Sequence, residues 1–449
     1  MTRVSMLQDL LSALVTRGAR LMDQRAEAKT AADLELLCDA LLSSRGEASG
    51  VALAAQILDG FSTLDETERA TFFAMLTERF DPDPARAILA AQDFAQERSA
   101  RTLGELIAAS EPPRQELMRR LNLAPGGTAA LVGMREALLS YLGEHPEFAR
   151  LDADFQHLFQ SWFNRGFLVL RPIDWASPAH ILDKIIAYEA VHEIGNWDEL
   201  RRRLRPADRR CFGFFHPSMP DEPLIFVEVA LTQAIPDSIQ DLLADDREIL
   251  SPDKATTAVF YSISNCQQGL RGVSFGSFLI KQVAQDLTRE IPALKTFVTL
   301  SPAPGFIRWL KGVAADGAED SQAARALDAI AEPLWHLDEA KADAARELLL
   351  PLAAEYFLAA KRPDGQPVDA VARFHLGNGA TLRQINWLGD TSPKGFAQSA
   401  GIMVNYLYDL AEVEANHEAY AARREVKAAK PVRGLLRTSE KRAARKDTV

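Results

Sequence analysis

Residues Phe260 to Phe306 read FYSISNCQQGLRGVSFGSFLIKQVAQDLTREIPALKTFVTLSPAPGF, a strand, a Gly-containing turn, an amphipathic helix and a second strand in direct succession. The strand reading covers Ala258 to Ser264, and Gly269, Gly272 and Gly276 permit a tight turn and close approach of a ligand. The helix starting near Ser277 points its positive end at that turn. This order offers successive backbone N–H groups to a phosphate, so the stretch reads as an acyl-CoA or nucleotide site; its bland alternative is a plain strand-to-helix connection.

Downstream, the second strand (TFVTLS, Thr296 to Ser301) runs into Pro302-Ala303-Pro304-Gly305-Phe306. Side chains at a strand end beside a Gly-rich turn line a crevice, which makes Ser301 a candidate, against the plainer role of opening a Pro-rich turn. No G-x-S-x-G surrounds it, so a nucleophile elbow is not indicated. ARFHLG (Ala372 to Gly377) reads as a strand before a Gly-Asn-Gly turn, in which His375 alternates with Phe374 and Leu376 and can face a cleft. The remaining histidines form no H-x-x-x-H or Cys/His cluster that would ligate a metal. His216 to Pro223 reads as a Pro-rich loop, and Asn405, Tyr406 and Tyr408 read as part of a C-terminal helix.

The 449 residues suffice for two or three domains, and 47% hydrophobic with 25% charged residues describes an ordinary globular protein. No apolar run reaches the ~20 residues of a transmembrane helix. The formal charge of −11 opposes nucleic acid and anionic membranes as partners. Three widely spaced cysteines, Cys38, Cys211 and Cys266, fit a reducing compartment. With an N-terminus that lacks a signal or transit composition and a C-terminus that lacks Ser-Lys-Leu, the cytoplasm is the expected location.

From Leu7 to about Phe163 apolar residues recur at three- and four-residue steps, with breaks at Ser43 to Gly50, Asp81 to Pro84 and Glu111 to Arg114. Near Gly166 the pattern changes. FLVLRPI reads as a strand, the following SPAHILDKIIAYEAVHEI as a Ser-capped helix, and further strands as Cys211 to His216, Leu224 to Leu231, Thr257 to Ser264 and Thr381 to Leu388. The expectation is an α+β chain of two domains: an all-α bundle over residues 1–163 and a mixed-sheet acyl-CoA domain over 164–422. The latter carries a helical insertion at about 312–362, and a basic tail over 423–449 follows, either solvated or a phosphate- or subunit-contacting arm.

The turn RGVSFG has the form Arg-Gly-x-Gly-x-Gly with Ser274 at the middle Gly, and so resembles the pyrophosphate loop of GNAT acyltransferases. Taken with FHPSMPDEPLIFVEVAL, AVFYSISNCQQGLRGV, FGSFLIKQVAQDL, LSPAPGF, RFHLGNGA, INWLGD and GIMVNYLY, in order from about Gly166 to Leu410, the chain resembles the malonyl-CoA decarboxylase family. The resemblance implies a helical domain before a GNAT-like domain, conversion of malonyl-CoA to acetyl-CoA and CO2, and a homotetramer. It implies Ser301 and His375 as the catalytic pair. It places the CoA loop on Arg271, Gly272, Val273, Ser274, Phe275, Gly276 and Ser277, and makes Tyr408 an active-site neighbour. Ser274 departs from the acid expected there in animal enzymes. No metal or organic cofactor is expected, because the thioester is itself the electron sink. Whether Ser301 accepts a proton or positions the carboxylate stays open. The rival readings are a GNAT-type acyltransferase acting on an amine or carrier thiol and a non-catalytic CoA-binding regulator.

Overall fold

The computed structural model describes residues 30–43, 46–273 and 279–436. The chain divides into two compact units. The first takes in the described residues of Met1–Val169 with Phe215–Leu224 and Cys266–Phe275; the second takes in those of Leu170–Phe214, Ile225–Asn265 and Gly276–Val449.

The first unit is built on α1 (Ala31–Leu42), α2 (Glu47–Thr63), α3 (Glu66–Glu78), α4 (Pro84–Gln96), α5 (Ala100–Ser110), α6 (Pro113–Leu121), α7 (Gly127–Tyr141) and α8 (Ala149–Trp162). Caps set many of the starts: Thr30 forms a capping box with Asp33, Ser99 forms one with Thr102, and Asp65 and Asp83 accept from first-turn amides. Proline occupies the first position of α4 and α6, where a missing N–H costs nothing. The core is aromatic, with Phe61, Phe72, Phe73, Phe148, Phe155 and Phe159 buried together.

The segment Cys266–Phe275 joins this unit through Gly269, whose added Cβ would stand 2.0 Å from the carbonyl oxygen of Val132, so only glycine fits. Buried Arg135 secures it, donating from Nη1 to the Gly269 carbonyl at 2.7 Å and from Nε to Asp152 at 2.7 Å. Deleting one partner of such a pair leaves a charge without compensation, at about 3–5 kcal/mol.

The sheet comprises β1 (Val169–Ile173), β2 (Arg209–His216), β3 (Met219–Thr232), β4 (Thr257–Asn265), β5 (Thr296–Thr299), β6 (Ser301–Pro302), β7 (Thr381–Asn386) and β8 (Met403–Leu407). Its order is β1-β2-β3-β4-β5-β8-β6, with β7 also on β8. Strands β4 and β5 are parallel, whereas β3–β4, β5–β8, β6–β8 and β7–β8 are antiparallel. The helices of the second unit are α9 (Ala179–Tyr188), α10 (Trp197–Leu204), α11 (Ile239–Leu243), α12 (Leu279–Glu290), α13 (Phe306–Asp316), α14 (Gln322–Ala329), α15 (Glu339–Leu358), α16 (Ala370–Gly377), α17 (Pro393–Ser399) and α18 (Val413–Arg423). A parallel pair requires a crossover, and α12 supplies it between β4 and β5 by burying Leu279, Ile280, Val283, Ala284 and Leu287. The α+β class expected from the sequence is the observed one, with helices gathered first and a mixed sheet after them.

Four local expectations are corrected. His375 lies on helix α16, not on a strand: Asp369 accepts from the Ala372 amide and caps the first turn, which starts the helix ahead of RFHLG. Tyr406 lies on strand β8, not on a helix, and Tyr408 follows one residue after its end; the β-branched and aromatic run MVNYL pairs with β5, β6 and β7, and the helix begins only at Val413. The supposed loop His216 to Pro223 shrinks to Pro217-Ser218, because β3 starts at Met219 and carries Pro220 and Pro223 within it. Helix α9 takes Pro178 as its N-cap without a side-chain bond, while Ser177 accepts from the amide of Asp174. Past α18, the first part of the basic tail is held to β7: Leu382 donates to the Lys427 carbonyl and Ala429 to that of Leu382, both at 2.9 Å.

Candidate active site

Ser301 opens β6, two residues beyond Thr299, the last residue of β5. Pairing of Phe260 with Thr299 and of Ser301 with Val404 holds this strand end between β4 and β8. Residues two apart on an extended chain share a face, so Ser301 and Thr299 project together, and the Ser301 hydroxyl donates to Thr299 Oγ1 at 2.9 Å. The backbone N–H of Tyr406 also donates to Thr299 Oγ1, at 3.1 Å, and Asn405 Nδ2 donates to the Thr299 carbonyl at 2.8 Å. Thr299 is thereby fixed from two sides.

His375 comes to the same point from the last turn of α16. Its Nε2 lies 3.1 Å from Ser301 Oγ and its Nδ1 lies 2.8 Å from the Tyr408 hydroxyl. The ring stacks on Tyr406, with centroids 4.6 Å apart and planes at 24°. Burial holds the imidazole down at about 3, well below the ordinary histidine value, so the ring is neutral at pH 7. Burial likewise drives Tyr408 far above the usual phenol value, and it keeps its proton.

The proton count then fixes the tautomer. Ser301 has one hydroxyl proton, and it goes to Thr299; the contact with His375 therefore needs the proton on Nε2. Nδ1 is left as an acceptor, matched by the Tyr408 hydroxyl. The chain of donors runs from Tyr408 through His375 and Ser301 to Thr299. Such an arrangement presents a neutral N–H acid beside a hydroxyl in buried, low-dielectric surroundings, suited to stabilising negative charge that develops on a carbonyl-type oxygen.

Of the residues singled out in the sequence, Ser301, His375 and Tyr408 are brought together. Arg271 and Gly272 are exposed and belong to the helical unit, with Gly272 at φ +82°; the Val273 side chain is buried in that unit's core. Ser274, Phe275, Gly276 and Ser277 lie outside the described residues. Thr299 escaped the sequence reading, although its i−2 spacing to Ser301 on a strand was a usable signal. Asp369 escaped it too, although an Asp ahead of AVARFHLG is an N-cap signal.

Comparison with known proteins covers most of the chain. A family model described as the malonyl-CoA decarboxylase C-terminal domain matches residues 166–446, and one described as the malonyl-CoA decarboxylase N-terminal domain matches residues 80–163. The chain belongs to the malonyl-CoA decarboxylase family. It is 35% identical over 401 residues to a malonyl-CoA decarboxylase from Anser anser anser described as mitochondrial, covering 82% of this chain and 79% of that protein. The crystal structure of malonyl-CoA decarboxylase from Rhodopseudomonas palustris is 56% identical, with a TM-score of 0.86 over 90% of this chain and 99% of the other. That from Cupriavidus metallidurans is 33% identical, with a TM-score of 0.71 over the same shares. Among the described residues no helix is long and apolar enough to cross a membrane.

Proposed function

We propose that this chain decarboxylates malonyl-CoA to acetyl-CoA and CO2, with Ser301 and His375 at the reacting atoms. The observation that carries the proposal is the buried 3.1 Å contact between Ser301 Oγ and His375 Nε2, in a chain of the malonyl-CoA decarboxylase family. The bond between the carboxylate carbon and the α-carbon breaks, its electron pair passes into the thioester as an enolate, and CO2 leaves. The α-carbon then takes up one proton, so that one malonyl-CoA and one proton give acetyl-CoA and CO2.

Each residue has a part in this sequence. The Nε2–H of His375 donates to the developing enolate oxygen and passes its proton to the α-carbon, solvent then restores that proton to Nε2, and Tyr408 at Nδ1 holds the ring in the donating tautomer. When substrate binds, the Ser301 hydroxyl turns its proton from Thr299 to the malonyl carboxylate and so sets the breaking bond perpendicular to the thioester plane. Arg271 to Ser277 receives the CoA diphosphate in this reading, on the sequence pattern of that turn, and the assembly is a homotetramer, on the resemblance to the family. The thioester accepts the electron pair, so the steps written here call on no further group.

Incubation of purified protein with malonyl-CoA and no acceptor tests the reading. Stoichiometric CO2 and acetyl-CoA are expected; an inert mixture that turns over only when an amine or thiol is added would make the protein an acyltransferase instead.

A further inference from the structure

Where β2 begins, a cavity of about 330 Å³ is lined by four arginines, Arg202, Arg203, Arg209 and Arg247, against two acidic residues, Glu199 and Asp245. The four arrive from α10, from the first residue of β2 and from the loop after α11. Asp245 is engaged by Arg202 at 2.8 Å, and Glu199 is turned to the start of its own helix, accepting from the Gly195 amide at 2.8 Å and from Asn196 Nδ2 at 3.1 Å.

The carboxylates that serve the other three arginines do not line the cavity. Asp208 accepts both forks of Arg247, at 2.5 and 3.1 Å, and also the amide of Leu250. Its distance to buried Arg209 is 3.6 Å, and Arg209 spends its donors on carbonyls, those of Asp208 at 3.2 Å and Leu242 at 2.6 Å. Arg203 has Glu228 at 3.1 Å. One carboxylate thus answers for two guanidiniums, and burial first, with Arg247 among the opposing charges, holds Arg209 below its ordinary value.

We infer that this cavity is a binding site for a small dianion, a phosphate ester or a dicarboxylate, separate from the Ser301–His375 site. Guanidiniums favour both phosphate and carboxylate oxyanions, and the volume falls at the lower end of small-ligand sites. The separation follows from the topology: Arg209 on β2 is three strand spacings from β5, roughly 14 Å, before any offset along the strands. A physical link to that site also exists. Arg203 bonds Glu228 at the irregularity where β3 pairs with β4 and Tyr261 is skipped, and the next residue of β4, Phe260, pairs with Thr299.

Isothermal titration of the full chain with inorganic phosphate in one arm and succinate in the other tests the site. Each arm is run with and without saturating coenzyme A. Saturable one-site binding with Kd below about 1 mM in at least one arm is expected, unaffected by coenzyme A; the responding arm identifies the anion. Arg209 is buried and its loss threatens folding, so the partly exposed Arg202 and Arg247 are altered instead. Arg202→Gln with Arg247→Gln should weaken binding at least about tenfold. The basal reaction without added anion should be unchanged in that double variant. Absence of saturable binding in both arms, full competition by coenzyme A, or equal affinity in the double variant would each overturn the inference.

Discussion

The hydroxyl of Tyr356 on α15 donates to Oδ2 of Asp369 at 2.9 Å, while Oδ1 of the same carboxylate accepts from the Ala372 amide at 2.7 Å and so caps the helix that carries His375. The turn after Ser301 packs against that phenol, since a Cβ on Gly305 would stand 2.5 Å from its oxygen. One buried hydroxyl therefore ties the Ser301 turn to the His375 helix. Asp369→Ala removes the cap and strands the phenol, and should cost about 1–3 kcal/mol in denaturant unfolding. Tyr356→Phe should cost about 1 kcal/mol and lower kcat several-fold at unchanged KM. Wild-type kcat in both variants would remove the positioning role.

Ser301→Ala and His375→Ala should each lower kcat for CO2 release by at least about 100-fold. Arg271→Ala should mainly raise KM, because it belongs to the turn assigned to the diphosphate. Steady-state kinetics on malonyl-CoA separates the two classes, and wild-type turnover in both pair variants contradicts the catalytic assignment.

Tyr408→Phe removes the donor to Nδ1 and Thr299→Val removes the acceptor of the Ser301 proton. Each frees the imidazole to exchange tautomers, and kcat should fall about tenfold. The nitrogen-15 shifts of His375 provide the check: the wild type should show protonated Nε2 with unprotonated Nδ1, and the variants a mixture. A wild-type spectrum already dominated by protonated Nδ1 would reverse the proposed wiring.

Stability should fall on acidification. Burial lowers His375 to about 3 and His192 to about 4, from 6.5, so each takes up a proton on unfolding in the interval between its folded and unfolded values. Their contribution is complete above pH 6.5 and is lost as pH falls toward those folded values. Glu228 acts oppositely: burial raises it while Arg203 at 3.1 Å pulls it back, and its share is lost as pH rises. His192→Gln should therefore flatten the pH dependence between about 4 and 6.5 by one proton, about 1.4 kcal/mol per pH unit, in denaturant titrations. An unaltered slope would show that His192 is not held neutral.

Gly379 ends the His375 helix at φ +83°, where an added Cβ would come within 2.0 Å of the Val413 carbonyl oxygen. Gly379→Ala should cost more than about 1 kcal/mol and shift the helix end, with kcat falling in parallel. Unfolding and turnover measured on one preparation would expose any decoupling.

Much of this was legible in the chain itself. The strands around the Gly-rich turn, the helix α12 between them and the change from helical to mixed structure near Gly166 all follow from periods that local sequence carries. The secondary structure around His375 and Tyr406 did not follow. RFHLG and MVNYL are short apolar runs, for which helix and strand periods coincide until a cap or a pairing partner decides. Asp369 decided the first, and β7 decided the second.

The sequence by itself determined the order of the elements, the family, and Ser301 and His375 as candidates, because those depend on residue type and spacing along the chain. Only the tertiary structure decided that the two meet across 74 positions, that the serine hydroxyl donates to Thr299 and that the Tyr408 hydroxyl meets Nδ1 of the histidine. A proton's position is the outcome of all the donors and acceptors gathered at one point, and those come from β5, β6, β8 and α16, which are neighbours only in the folded chain.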